Sequence, residues 1–66
     1  MPSETLGITI ARIRKRRKMT QAQLAKRAGV HRIYVAQIEG QTKVPSLATL
    51  EKLAKALNVK IGRLLE

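Results

Sequence analysis

The chain has 66 residues, with 14 Lys and Arg against four Glu, and its formal net charge is +10 at pH 7. A chain of this length has one small core, so residues 1–66 are expected to form a single domain. It contains no Cys, which excludes disulfides and thiolate metal sites. The four Glu are scattered and His31 is the one imidazole. We therefore expect no enzyme activity, no cofactor and no metal site.

The charge predicts a polyanionic partner, either nucleic acid or an anionic membrane surface. No run of 18 apolar residues and no signal-peptide pattern occurs in the sequence. The expected location is the cytoplasm, in association with the nucleoid. A basic membrane-active peptide is disfavoured, because residues 47–57 have the pattern of a capped core helix, which such peptides do not need. Non-specific DNA compaction remains an alternative.

The first two helices are predicted from apolar spacing and from capping residues. Helix one covers about residues 5–18, with Leu6, Ile10 and Ile13 on one face. Helix two covers 21–28, after an N-cap at Thr20 that can form a capping box with Gln23. Its inward residues are Leu24, Ala25 and Ala28. Gly29 is placed to end it in a left-handed turn.

Three more helices follow. Helix three covers about 32–39, with Val35 and Ile38 inward and a C-cap at Gly40. Helix four covers 47–57 after an N-cap at Ser46, and a short helix five covers 61–65. The expected core positions of helix four are Leu47, Leu50, Leu53, Ala54 and Leu57. No segment alternates like a strand, so the fold class is all-α.

Residues 21–39 have the spacing of a helix-turn-helix unit, although a generic helical hairpin has the same spacing. Three short segments are typical of one family of such units: Met19-Thr20-Gln21, Ala28-Gly29-Val30 and Pro45-Ser46-Leu47. With these segments, residues 6–65 resemble the XRE-type helix-turn-helix family, which includes Cro and the phage lambda and 434 repressors. The resemblance implies a compact five-helix, lambda-repressor-like DNA-binding domain whose third helix enters the major groove.

The resemblance also implies roles for individual residues. The base-reading positions are the outward residues of helix three: His31, Arg32, Ile33 and Gln37. Arg32 suits guanine, Gln37 suits adenine and Ile33 suits a thymine methyl group. The alternatives are a phosphate contact for Arg32 and a helix-capping role for His31.

Expected phosphate contacts lie around helix three. They are Gln21, Tyr34, Lys43, Thr42, Arg12 and Arg16. Gln21 opens helix two, where the positive helix end favours an anion. For Tyr34, packing against helix four or a neighbouring loop is the alternative to a hydrogen bond from its hydroxyl to a phosphate.

The family also pairs an Arg at the position of Arg14 with a Glu at the position of Glu39, so a partly buried ion pair is expected here. The chain departs from the family where Gln41 takes the usual Gly position and Lys60 replaces the usual cap of helix five. The expected dimer contact consists of three apolar residues near the end of the chain, with ordinary core packing as the alternative. These are Val59, Ile61 and Leu65.

The expected function is sequence-specific binding of double-stranded DNA. The protein would be a transcriptional regulator, most simply a repressor that binds a palindromic operator as a homodimer. Two alternatives use the same fold: the antitoxin of a toxin–antitoxin pair, which would also bind a toxin protein, and the controller protein of a restriction–modification system.

Overall fold

The computed structural model describes residues 3–65, with side chains from residue 6 onward, and consists of five α-helices. They are α1 (Ser3–Arg16), α2 (Gln21–Ala28), α3 (Arg32–Glu39), α4 (Leu47–Leu57) and α5 (Ile61–Leu64). The described residues contain no strand, which confirms the all-α prediction. The bounds predicted for α2, α3 and α4 are confirmed. Helix α1, however, ends two residues earlier than predicted.

Helix α1 ends early because Lys18 turns into the left-handed region, with φ of 58°. This turn directs Met19 into the core, where it is buried. Helix α2 then begins with the predicted capping box, in which Thr20 Oγ1 accepts from the Gln23 amide at 3.0 Å and Gln23 Oε1 accepts from the Thr20 amide at 2.8 Å. Gly29 ends α2 with φ of 74°, which a residue without Cβ adopts at little cost.

The core is built from apolar stripes on all five helices. Its fully buried members include Ile10, Leu24, Ile38, Leu53, Leu57 and Leu64. The predicted stripe of α4 is wrong at Leu47, which is 64% exposed. Leu47 is the first residue of α4, directly after the Ser46 cap. The start of this first turn is exposed to solvent, and the buried face of α4 begins at Leu50.

Helix α3 is held by both α1 and α2, and its approach to α1 depends on Gly7. A Cβ at Gly7 would lie 2.5 Å from the carbonyl oxygen of Ile38 and 3.2 Å from that of Glu39. Glycine therefore allows α1 to pack directly on the backbone of the last turn of α3. This contact holds the carboxyl-terminal end of α3 close to α1. Within residues 3–65, no helix is long and apolar enough to cross a membrane.

Candidate nucleic-acid interface

Helix α3 has one buried face and one exposed face. Val35 and Ile38 are buried in the core at 1% and 2% exposure. The four residues predicted to read bases share the opposite face, and all are exposed: His31, Arg32, Ile33 and Gln37. Ile33 is 51% exposed, which is unusual for an isoleucine and leaves its side chain available for an apolar contact. The structure brings His31, Ile33 and Gln37 together along one groove, whereas Arg32 is exposed at the first position of α3 and does not line that groove.

His31 caps α3 through its own side chain. Its Nδ1 accepts a hydrogen bond from the amide of Ile33 at 3.1 Å, and its backbone is extended, as an N-cap requires. An Nδ1 that accepts a hydrogen bond carries no proton, so in the neutral ring the proton is on Nε2. The capping role, given above as an alternative, is therefore present, and it leaves an N–H donor at the outer edge of the ring.

The side chain of Gln21 is engaged within the protein. Its Nε2 donates to Glu39 Oε1 at 3.0 Å, and the residue is half-buried. A single amide has two N–H donors and one carbonyl acceptor, so this bond uses only part of its capacity. Gln21 remains the first residue of α2, where the positive end of the helix is directed outward.

Arg14 and Glu39 form an ion pair between α1 and α3. Arg14 Nε donates to Glu39 Oε2 at 2.7 Å and Arg14 Nη2 donates to Oε1 at 3.0 Å, which is a two-point guanidinium–carboxylate contact. The two side chains are only 10% and 7% exposed. Arg14 Nη1 also donates to the Met19 carbonyl at 2.7 Å. With Gln21, this network connects α1, the α1–α2 turn, α2 and α3. The Met19 acceptor could not be predicted from the sequence, because every residue type has a backbone carbonyl.

The loop after α3 is tied to the last turn of that helix. Gln41 lies in the left-handed region with φ of 68°, and Thr42 donates to the Gln37 carbonyl through its amide at 2.9 Å and its hydroxyl at 3.2 Å. The Thr42 hydroxyl is thus already bonded within the protein, which weakens the expectation that it contacts phosphate. Gly40, the predicted C-cap, keeps a right-handed φ of −80°, so the left-handed turn falls one residue later than a Gly cap would place it.

Lys43 and Tyr34 meet beside this loop. The ammonium nitrogen of Lys43 lies 5.6 Å from the centre of the Tyr34 ring. Tyr34 is half-buried and packs against the core. An open groove of about 600 Å³ runs beside α3. It is lined by His31, Ile33, Tyr34, Gln37 and Lys43.

The two arginines expected from α1 are exposed in different surroundings. Arg12 is exposed on α1. Arg16 shares a smaller groove of about 250 Å³ with Arg17 and Arg63, over the apolar floor of Ile13 and Val59. The structure therefore brings Arg16 together with α5 and not with the groove on α3. Sequence patterns do not reveal this neighbourhood, since it arises from tertiary packing of α1 on α5.

The three residues expected at a dimer contact differ in exposure. Val59 and Ile61 are half-buried and pack against the core, whereas Leu65 is 60% exposed. Val59 and Ile61 also line an open groove of about 560 Å³ with residues of α4, including Glu51 and Lys55. Core packing and a partly exposed apolar surface are both present here. Among the described residues, no group of His, Asp or Glu is placed to hold a metal ion.

Comparison with known proteins agrees with this geometry. A family model described as helix-turn-helix matches residues 10–64. The chain belongs to the XRE-type helix-turn-helix family of DNA-binding transcription regulators. The resemblance drawn from the sequence is thereby confirmed. The lambda-repressor-like fold is confirmed by the solved DNA-binding domain of the P22 c2 repressor, which has a TM-score of 0.90 at 34% identity over 98% of this chain and 86% of that chain.

Curated relatives include two kinds of regulator. The immunity repressor protein of Bacillus phage phi105 is 48% identical over 58 residues, which is 88% of this chain and 40% of the repressor. The chain thus spans less than half the length of that relative. The control protein C.SmaI of Serratia marcescens is 37% identical over 62 residues, covering 94% of this chain and 74% of the control protein.

Solved structures of family members superpose closely. The restriction–modification controller protein C.AhdI from Aeromonas hydrophila has a TM-score of 0.92 at 29% identity, with 94% of both chains covered. SinR, a master regulator for biofilm formation solved in complex with DNA, has a TM-score of 0.88 at 34% identity, over 92% of this chain and 98% of that chain. The helix-turn-helix geometry described above is thus shared with a domain that has been solved on DNA.

Proposed function

We propose that this protein is a sequence-specific regulator that binds double-stranded DNA as a homodimer and represses transcription from a palindromic operator. One observation carries the proposal: α3 is pinned to the core by Val35 and Ile38 while Arg32 and Gln37 are exposed on its outer face. A helix presented in this way fits the major groove, where arginine and glutamine make two-point contacts with guanine and adenine.

Affinity in this proposal comes from phosphate contacts around α3. The amino end of α2 at Gln21 and the ammonium of Lys43 flank the reading helix, and Arg12 adds a further exposed cation. The hydroxyl of Tyr34 stays a predicted phosphate donor. Such contacts act on every sequence, so they position the reading helix without specifying bases. Arg16 contributes least, because it lies beside α5.

Specificity in the proposal comes from four side chains. Arg32 reads a guanine and Gln37 an adenine, while Ile33 contacts a thymine methyl group. The Nε2 hydrogen of His31 faces outward because Nδ1 is occupied by the cap, so His31 requires an acceptor such as guanine N7 or O6, or a phosphate oxygen.

Dimerisation in the proposal uses the carboxyl-terminal surface. Its apolar contacts would come from the exposed Leu65 and from the half-buried Val59 and Ile61, which lie at or near α5. Two protomers joined there would present two α3 helices to successive turns of the major groove, about 34 Å apart. An operator made of two inverted half-sites follows from that symmetry.

The test is selection of bound fragments from random duplex DNA, followed by footprinting. We expect inverted half-sites with centres about 10 base pairs apart. Arg32→Ala should relax preference at one position of each half-site and cost about 1–3 kcal/mol. Lys43→Met should weaken all sequences and reduce the slope of log affinity against log salt by about 0.9. Lys52→Met, which removes an exposed cation of α4, is the matched control. Equal affinity for all duplexes would instead support non-specific DNA compaction.

A restriction–modification controller is the second candidate. It is favoured by C.SmaI and C.AhdI, which this chain matches over 74% and 94% of their own lengths. Neighbouring genes for a restriction endonuclease and a methyltransferase, with the selected operator upstream of them, would support this candidate. The antitoxin alternative instead requires a second protein that copurifies with the chain and keeps it bound to DNA.

A further inference from the structure

We propose that the ring of Tyr34 is a positioning platform that holds the Lys43 ammonium toward the DNA backbone. The inference rests on the proposed DNA-binding function and adds a role for the aromatic face that is separate from any contact made by the hydroxyl. It starts from the 5.6 Å separation between the Lys43 nitrogen and the ring centre, which lies within the range of a cation–π contact.

Both ends of the Lys43 side chain are restrained. At the backbone end, the preceding residue Thr42 is tied to the Gln37 carbonyl by two hydrogen bonds of 2.9 and 3.2 Å. At the other end, the ammonium lies over the Tyr34 ring, and the ring itself is fixed because Tyr34 packs on the core. A flexible four-carbon side chain is thus held in a narrow range of positions at the edge of the reading surface.

Restraint of this kind favours binding because a free lysine loses rotamer entropy when it contacts a phosphate. The contact with the ring need not be given up on DNA. An ammonium has three N–H donors, and the ring face occupies one side of it, so donors remain for a phosphate oxygen. The groove that contains Tyr34 and Lys43 also contains His31 and Gln37, which places the ammonium next to the proposed base-reading residues.

If the ring acts as a platform, its loss weakens DNA binding only when the Lys43 ammonium is present. A double-mutant cycle tests this with Tyr34→Phe and Tyr34→Leu, each alone and combined with Lys43→Met. The comparison of Phe with Leu isolates the ring, because both variants lack the hydroxyl. The probes are a duplex obtained from the selection and a random-sequence duplex of the same length, since a phosphate contact is independent of sequence.

With Lys43 intact, we expect Tyr34→Leu to bind both duplexes about 3-fold more weakly than Tyr34→Phe, because without the ring the lysine side chain loses its rotamer freedom only when it binds DNA. With Lys43→Met, that difference should disappear. A difference that persists with Lys43→Met would overturn the inference, and so would a Tyr34→Leu variant that binds as tightly as Tyr34→Phe or more tightly. Tighter binding by Tyr34→Leu than by Tyr34→Phe would mean that the ring competes with DNA for the ammonium.

Proton NMR tests the ring contact directly and also shows whether the variants are folded. Proton NMR of the wild-type protein should show the Lys43 side-chain methylenes shifted upfield by the ring, both free and bound to the duplex. Tyr34→Phe should keep the shift and Tyr34→Leu should remove it, while unchanged amide spectra would show that both are folded. Absence of the shift in the wild-type protein would overturn the inference. If the wild-type protein bound no duplex, the proposed function would fail, whereas specific binding without coupling would refute the platform alone.

Discussion

Removal of the Glu39 carboxylate should destabilise the whole domain. In Glu39→Ala, the Arg14 guanidinium stays between α1 and α3 at about 10% exposure, with the Met19 carbonyl as its remaining partner. Gln21 loses its acceptor as well. Removing one partner of a buried ion pair costs about 3–5 kcal/mol, because the remaining charge is buried without compensation. A domain of this size has a free energy of unfolding of roughly 3–10 kcal/mol in total.

Urea denaturation followed by circular dichroism measures this loss. With a slope of about 1 kcal/mol per molar urea, a loss of 3 kcal/mol moves the midpoint down by about 3 M. Glu51→Ala removes an exposed carboxylate of α4 and should change stability by less than about 0.5 kcal/mol. The double variant Arg14→Met with Glu39→Leu should be more stable than Glu39→Ala, because it leaves no buried charge. If Glu39→Ala and Glu51→Ala lost the same stability, the pair would have no architectural role.

Three smaller changes test local features of the backbone, and urea denaturation measures each of them. Gly7→Ala should cost about 1–3 kcal/mol because its Cβ would overlap the Ile38 carbonyl, whereas Gly62→Ala meets open space in α5 and should not destabilise; equal effects would contradict the close approach of α1 and α3. Gln41→Gly should stabilise by about 0.5–1 kcal/mol, because Gln41 is held at a positive φ, and a loss would contradict this. Lys60→Ser should add about 0.5–1 kcal/mol, since Lys60 makes no capping hydrogen bond; no change would show that the start of α5 does not limit stability.

The helices could be predicted because their signals are local. Thr20 and Gln23 form a capping box from adjacent sequence positions, and Gly29 supplies the one conformation that ends α2. Two details were predicted wrongly. The apolar period extends to Leu47, but the period does not say that the first turn of α4 is solvent-exposed. Helix α1 stops before Lys18 because Met19 must reach the core, and that is decided by tertiary packing.

The positions of the site residues could be predicted more fully than their hydrogen bonds. The family resemblance implied that His31 and Gln37 face outward, and both are exposed. Which atoms remain available to DNA depends on contacts between distant segments. The bond from Gln21 to Glu39 spans 18 residues, and no helical period reveals it. The His31 cap is local, but a histidine in that position can equally turn outward, and only the structure shows Nδ1 bound to the Ile33 amide.

The loop after α3 combines an unfavourable backbone conformation with the side chains expected to contact DNA. Gln41 adopts a left-handed φ that costs a residue with a Cβ about 1 kcal/mol or more. That turn is what brings the Thr42 amide and hydroxyl to the Gln37 carbonyl, and the next residue is Lys43. A left-handed residue directly after a helix is a common helix ending, and here it fixes the loop that carries Lys43. Gln41→Gly therefore separates two roles: if the turn serves only geometry, the variant gains stability and keeps its affinity for DNA. If the Gln41 side chain also supports the loop, the gain in stability is smaller and affinity falls, because Lys43 is held less firmly over Tyr34.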